Sequence, residues 1–93
     1  AFMYILIEAM SDAGVLMGID RKSAIEIASQ VFKGAGSMVL ESKKHPAELK
    51  DNVCTPAGIT IKGVEVLEQK SVRSGIIESL LATYQKSIDS EKK

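Results

Sequence analysis

One cysteine, Cys54, stands alone in 93 residues, which excludes an internal disulfide and supplies no metal-ligand spacing. A lone thiol fits a reducing compartment, and a cytoplasmic location is expected. Lysine plus arginine and aspartate plus glutamate number 12 each, so the formal charge is zero. Nothing electrostatic argues for nucleic acid or an anionic membrane as a partner, and neither is expected. A long hydrophobic run is also missing. The opening apolar stretch, Ala1 to Ile7, breaks at Glu8 and has no basic flank. It falls far short of the roughly 20 residues that span a bilayer, and it does not read as a secretory signal. There is no GxGxxG, Walker loop or metal motif, and no internal repeat, low-complexity tract or linker.

What the chain does have is apolar surface. Hydrophobic residues make up 45% of it, although only four are aromatic (two Tyr, two Phe). A chain of this length is one domain by count, and it buries only about two-thirds of its unfolded surface. That combination points to a small helical unit packed against something larger, such as a second copy of itself. Opening in mid-pattern on Ala-Phe-Met-Tyr, without an initiator Met or a cap, it reads as the severed end of a longer chain.

The spacing predicts five helices and an all-α, bundle-like fold. Ala1 to Met17 is hydrophobic almost all round, with Glu8, Ser11 and Asp12 as its polar side, and such a helix is buried on most faces. Gly18 suits the C′ position, and Asp20 can cap the next helix. From Arg21 to Ser42, Ala24, Ile27, Ala28, Val31, Ala35, Met38 and Val39 follow one face, which Ile25 and Phe32 broaden. Gly34 and Gly36 interrupt it at roughly 1 kcal/mol each, for which close approach of another helix is the expected reason. Lys43 and Lys44 sit near the negative end of that helix. Pro46 opens a third helix that carries Ala47, Leu49 and Val53 inward. A fourth, roughly Ile61 to Gln69, lines up Ile61, Val64 and Leu67, widened by Val66. Ser71 is the expected N-cap of the fifth, where Val72, Ile76, Ile77, Leu80, Leu81, Tyr84 and Ile88 form a stripe. The tail Asp89 to Lys93 is polar and expected to fray.

Between the third and fourth helices the helical pattern stops, at Lys50 to Gly63. Pro56 removes a backbone donor and pushes Thr55 out of helical geometry, and Gly58 allows a positive φ. A turn that leads into a helix N-terminus offers unpaired N–H groups and the positive end of the dipole, a site for a carboxylate or phosphate; a carboxylate is preferred here. The ordinary role for Thr60 is N-cap of the fourth helix. Its functional role has the main-chain N–H groups of Ile59 and Thr60 holding a carboxylate while the hydroxyl touches a second polar atom. Thr55 can contribute from the other side of the loop. Cys54 as a nucleophile has His45 as its one possible partner, and a small buried thiol is the commoner role. His45 reads as a solvated connector, and Lys50 and Asp51 as a solvated helix face. Asn52 serves either as a helix-end cap or as an amide offered to a ligand. The four methionines are core filler.

The stretch His-Pro-Ala-Glu-Leu-Lys-Asp-Asn-Val, residues 45–53, and then Cys-Thr-Pro-Ala-Gly-Ile-Thr, residues 54–60, resembles the signature of pyrroline-5-carboxylate reductases. In that family the segment reads Lys/Arg-Asp-x-Val, a small residue, then Ser/Thr-Pro-Gly-Gly-x-Thr. The opening Ala-Phe-Met-Tyr-Ile-Leu-Ile-Glu-Ala-Met-Ser-Asp-Ala-Gly-Val is similar to the family helix that follows a Ser-Gly-x-Gly-Pro stretch.

The resemblance implies the C-terminal helical domain of such an enzyme over residues 1–93, of the 6-phosphogluconate dehydrogenase C-terminal-like type. It implies a homodimer of interlocked helical domains, higher assembly being possible, and an N-terminal Rossmann domain for NADPH or NADH that this chain lacks. The reaction implied is reduction of 1-pyrroline-5-carboxylate to proline, with the chain inactive by itself. Ile59 and Thr60 match the positions that hold the substrate carboxylate and approach its ring nitrogen. Thr55 matches a further substrate-loop position, and Asn52 one that contacts the nicotinamide cofactor. None of these is a general base or nucleophile, so their role is positioning, and no metal is implied. Two residues depart from the pattern. Cys54 stands where many members have Ser or Thr, and Ala57 replaces the first glycine of the pair, at roughly 1 kcal/mol if that position needs a positive φ. The alternatives are a stand-alone helical dimerisation or adaptor module, and another imine or hydroxyacid reductase of the same architecture.

Overall fold

The computed structural model describes residues 1–91. Five helices follow one another, and no strand occurs among the described residues: α1 (Phe2–Leu16), α2 (Arg21–Ser42), α3 (Pro46–Val53), α4 (Ile59–Gln69) and α5 (Val72–Glu91). They fall into two compact units, Ala1–Lys50 and Asp51–Lys93, the boundary lying within α3.

In the first unit, α1 and α2 pack against each other and are joined by a turn that is specified locally. Gly18 takes φ +100°, its N–H reaching Val15 O at 3.0 Å, and the Ile19 N–H reaches Gly14 O at 2.9 Å. These two bonds make a Schellman ending, which uses glycine because an L side chain resists that φ. Two residues on, the Asp20 carboxylate accepts the Ser23 N–H at 3.0 Å and caps α2. Both roles are those read from the sequence. Arg21 then ties the helices together: its Nη1 donates to Ser11 Oγ at 2.8 Å and Asp12 Oδ1 at 2.7 Å. Ser11 is 1% exposed, and its hydroxyl donates to Glu8 O at 2.9 Å, so the buried oxygen is satisfied from both sides.

Close approach of the two helices occurs at Gly14. A Cβ there would stand 3.1 Å from Ala24 Cβ and 3.8 Å from Ile19 Cδ1. Ala24 and Ala28 on the facing side of α2 are buried, so small residues on both helices set the spacing. At Gly34 and Gly36, where the sequence suggests such an approach, nothing described lies within 4 Å of an added Cβ. Each stands roughly 80–120° around α2 from the buried Ala24 and Ala28, away from the face that packs.

α2 ends at Lys43, which takes a left-handed φ of 58° and donates its N–H to Val39 O at 3.1 Å. His45 begins α3 as more than a solvated connector: its Nδ1 accepts the Ala47 N–H at 3.0 Å and its carbonyl accepts from Glu48. Along α3, Leu49 is half-buried, whereas Ala47 and Val53 are exposed rather than turned inward. In the second unit, α4 and α5 meet at Ser71. Its φ of 58° and its carbonyl bond from the Gly75 N–H at 3.0 Å make it a left-handed junction, in place of the expected side-chain N-cap. Arg73 bridges the junction by donating to Glu68 Oε1 at 2.8 Å. Of the expected tail, Asp89 to Glu91 continue α5, with Gln85 donating to Asp89 Oδ1 at 3.1 Å; Lys92 and Lys93 lie outside the described residues.

Candidate functional site

Residues 52–60 lie within the second unit and join the last turn of α3 to the first turn of α4. The Cys54 N–H closes α3 on Asp51 O at 3.1 Å, and the chain then reverses through Thr55, Pro56, Ala57 and Gly58, with Gly58 N–H on Thr55 O at 3.0 Å. Proline at the second position suits this turn because its φ is fixed. Ala57, at the third, takes φ 56°. Negative then positive φ is the type II pattern, which favours glycine at the third position. The left-handed residue is therefore Ala57, the family-glycine position, rather than Gly58.

Gly58 is extended, with φ −81° and ψ −177°, and it is the N-cap residue of α4. The helix thus starts at Ile59, two residues earlier than the apolar spacing from Ile61 suggests, and Thr60 lies inside the first turn rather than capping it. Gly58 has no side chain to cap with, and the first turn of α4 contains no acidic residue. Among the described residues, no protein acceptor meets the Ile59 or Thr60 N–H. Two donors at the positive end of a helix dipole are thereby left without a described protein partner. Ile59 is 94% exposed. Thr60, Thr55 and Asn52 are exposed as well, and Cys54 is half-buried.

The arrangement brings Thr55, Ile59 and Thr60 onto one turn and one helix start, with Asn52 one residue before the end of α3. It contains no base, nucleophile or charged side chain among those four. Chemically it can hold and orient an anion; it cannot move a proton by itself. Sequence reasoning missed why position 58 is glycine. The signal was present in the spacing Thr55-Pro-Ala-Gly58, which brings the fourth residue of a tight turn back against the first.

The family model for pyrroline-5-carboxylate reductase dimerisation matches residues 1–90. The chain is 44% identical over 93 residues to a pyrroline-5-carboxylate reductase of Methanosarcina acetivorans, covering all of this chain and 34% of that protein. It is 46% identical over 87 residues to the Escherichia coli enzyme of the same name, covering 94% of this chain and 32% of that protein. Among solved structures it is similar to the Plasmodium falciparum pyrroline carboxylate reductase with NADP bound, with TM-score 0.88, 35% identity, and coverage of 92% of this chain and 33% of that one. A pyrroline-5-carboxylate reductase of Coxiella burnetii gives TM-score 0.83 at 28% identity, with coverage of 87% and 30%. The chain therefore spans about a third of the length of the relatives it matches.

Proposed function

The chain belongs to the pyrroline-5-carboxylate reductase dimerisation family, and we propose that it is the dimerisation and substrate-loop part of an enzyme that reduces 1-pyrroline-5-carboxylate to proline. One observation about the site supports this reading most: α4 begins at two exposed residues, Ile59 and Thr60, whose N–H groups have neither a side-chain cap nor an acidic residue to occupy them. A small carboxylate fits two such donors. Hydrogen bonds to a charged group contribute roughly 1.5–3 kcal/mol each, which is ample to orient a substrate of this size.

In the proposed reaction the carboxylate rests on the Ile59 and Thr60 N–H groups, the Thr60 hydroxyl approaches the ring nitrogen, and Thr55 lines the loop opposite. The nicotinamide cofactor, NADPH or NADH, would supply the hydride to the imine carbon, and the ring nitrogen would take its proton from solvent. The same proposal assigns most of the cofactor binding to a Rossmann domain outside residues 1–93, since the sequence here has no Gly-rich phosphate loop to contribute. Asn52, exposed at the end of α3, is the residue of this chain suited to meet the nicotinamide end. Catalysis by these residues is positional. Fixing one reacting carbon close to another reactant lowers a barrier by several kcal/mol, up to roughly 7–11 in favourable cases.

Two copies in an interlocked dimer, and a cytoplasmic setting, belong to the same proposal. No described helix is long and apolar enough to cross a membrane. The test is an assay of the full-length protein with 1-pyrroline-5-carboxylate against other cyclic imines, using NADPH and NADH in turn. Thr60→Ala is expected to raise the KM for 1-pyrroline-5-carboxylate about tenfold, the loss of one hydrogen bond, without changing the KM for the cofactor. Kinetics unchanged by that substitution would remove the Thr60 hydroxyl from the substrate site.

A further inference from the structure

Gly58 has a backbone conformation open to any residue, φ −81° and ψ −177°, so conformational freedom does not explain the glycine. Space does. A Cβ built on it would collide with the Thr55 hydroxyl, and would lie 3.1 Å from the Thr55 carbonyl oxygen and 3.5 Å from the Thr55 Cβ. That same carbonyl accepts the Gly58 N–H at 3.0 Å. Thr55 thus holds Gly58 in two ways, through its carbonyl on the amide and through its side chain seated on a bare Cα. Gly58 is in turn the N-cap residue of α4, and the orientation of its peptide fixes where the next two N–H groups point.

We infer that Thr55 and Gly58 form one positioning pair: the threonine side chain, seated against a Cα that carries none, sets the direction of the Ile59 and Thr60 amides. The inference rests on the reading of α4 as the carboxylate site and deepens it, because it gives Thr55 a task exerted through Gly58 as well as any contact of its own. A misdirection of about 1 Å in such a site is enough to cost up to a hundredfold in rate. A methyl at position 58 has to displace either the Thr55 hydroxyl or the turn.

The experiment is a double-mutant cycle in the full-length enzyme with Gly58→Ala, Thr55→Ala and the pair, reading KM and kcat for 1-pyrroline-5-carboxylate, KM for the nicotinamide cofactor, and the urea unfolding midpoint. Gly58→Ala is expected to raise the substrate KM at least about tenfold and to leave the cofactor KM alone. On a Thr55→Ala background the same change costs markedly less, because the hydroxyl is gone and the tight contact that remains is the Thr55 carbonyl oxygen at 3.1 Å. Thr55→Val, which keeps a methyl where the hydroxyl stood, does not relieve the Gly58→Ala defect. Independent multiplication of the two effects, or a wild-type KM in Gly58→Ala, overturns the pairing. If the wild-type enzyme reduces no 1-pyrroline-5-carboxylate, the parent reading fails, and the unfolding midpoints still decide the pairing: coupled shifts support it and additive shifts refute it.

Discussion

Ala57 carries a cost that its neighbours do not. At φ 56° its methyl crowds the following carbonyl, which for an L residue amounts to about 1–2 kcal/mol. Ala57→Gly relieves that crowding and adds about 0.5–1 kcal/mol of unfolded-chain entropy, so the net expectation is a gain of about 0.5–1 kcal/mol. A higher urea midpoint at unchanged slope is the measurement, and an unchanged midpoint would place the compensation elsewhere in the turn. Lys43 and Ser71, both at φ 58°, share the geometry without being glycine. These single-residue matters were only partly legible in the sequence. Glycine at 58 suggested a positive φ, whereas the structure requires it for room beside Thr55. A lone letter says that a side chain is unwelcome without saying whether torsion or space is the reason. Ser71 misled for a similar reason: serine before a helical stripe has the composition of an N-cap, and nothing in its local sequence signals the left-handed φ that takes its place.

Helices, by contrast, were legible wherever two independent signals agreed. α2 runs from Arg21 to Ser42 as the sequence reads it, because a capping aspartate marks its start just after the Schellman glycine that ends α1, while Lys43, His45 and Pro46 mark its end. For α4 the apolar spacing was the one signal for a start, and spacing begins at Ile61 although the backbone is free to coil from Ile59. The Asp20 cap yields a pH prediction. Its carboxyl is held below the ordinary value of 3.8 chiefly by the hydrogen bond from the Ser23 N–H, with the Ser23 side chain adding to it and desolvation opposing. A lowered folded-state value means that the cap's contribution is fully present above the ordinary carboxylate range and is lost as pH falls through the folded value. Asp20→Asn keeps an acceptor that does not titrate there, so its urea midpoint is expected to fall less than the wild type's between about pH 5 and about pH 2.5. An identical acid limb in both proteins would assign that limb to other carboxylates. The helix pair itself is tested at Gly14, where Ala24 Cβ already stands 3.1 Å from an added Cβ. Gly14→Leu is expected to destabilise by about 1–3 kcal/mol, as overpacking does, and thermal unfolding reads it directly.

At the scale of the whole molecule the question is what covers the apolar faces. Along α1, Tyr4, Ile5 and Leu16 are exposed, and along α5 so are Ile77, Leu80, Leu81 and Tyr84, each at 50% or more. Among the described residues the buried hydrophobic ones, Ala24 and Ala28, are small. Isolated exposed leucines are ordinary, but a helical stripe of four large apolar side chains on α5 is an interaction surface. The sequence showed these stripes clearly and could not show their partner, because spacing tells which face is apolar and not which surface meets it. The proposed dimer supplies a partner of matching chemistry, a second copy presenting the same helices. Well-seated apolar anchors contribute about 2 kcal/mol each or more, so losing two costs about 4 kcal/mol, roughly a thousandfold in Kd. Ile77→Glu with Leu81→Glu, one turn apart on α5, is therefore expected to convert the full-length dimer to monomer in sedimentation at micromolar concentration. The same double substitution leaves the Ile59 and Thr60 amides of α4 in place, so any accompanying loss of reductase activity would follow the dissociation and recover as protein concentration rises. Activity lost at every concentration with the dimer intact would instead put the α5 stripe against another part of the same subunit.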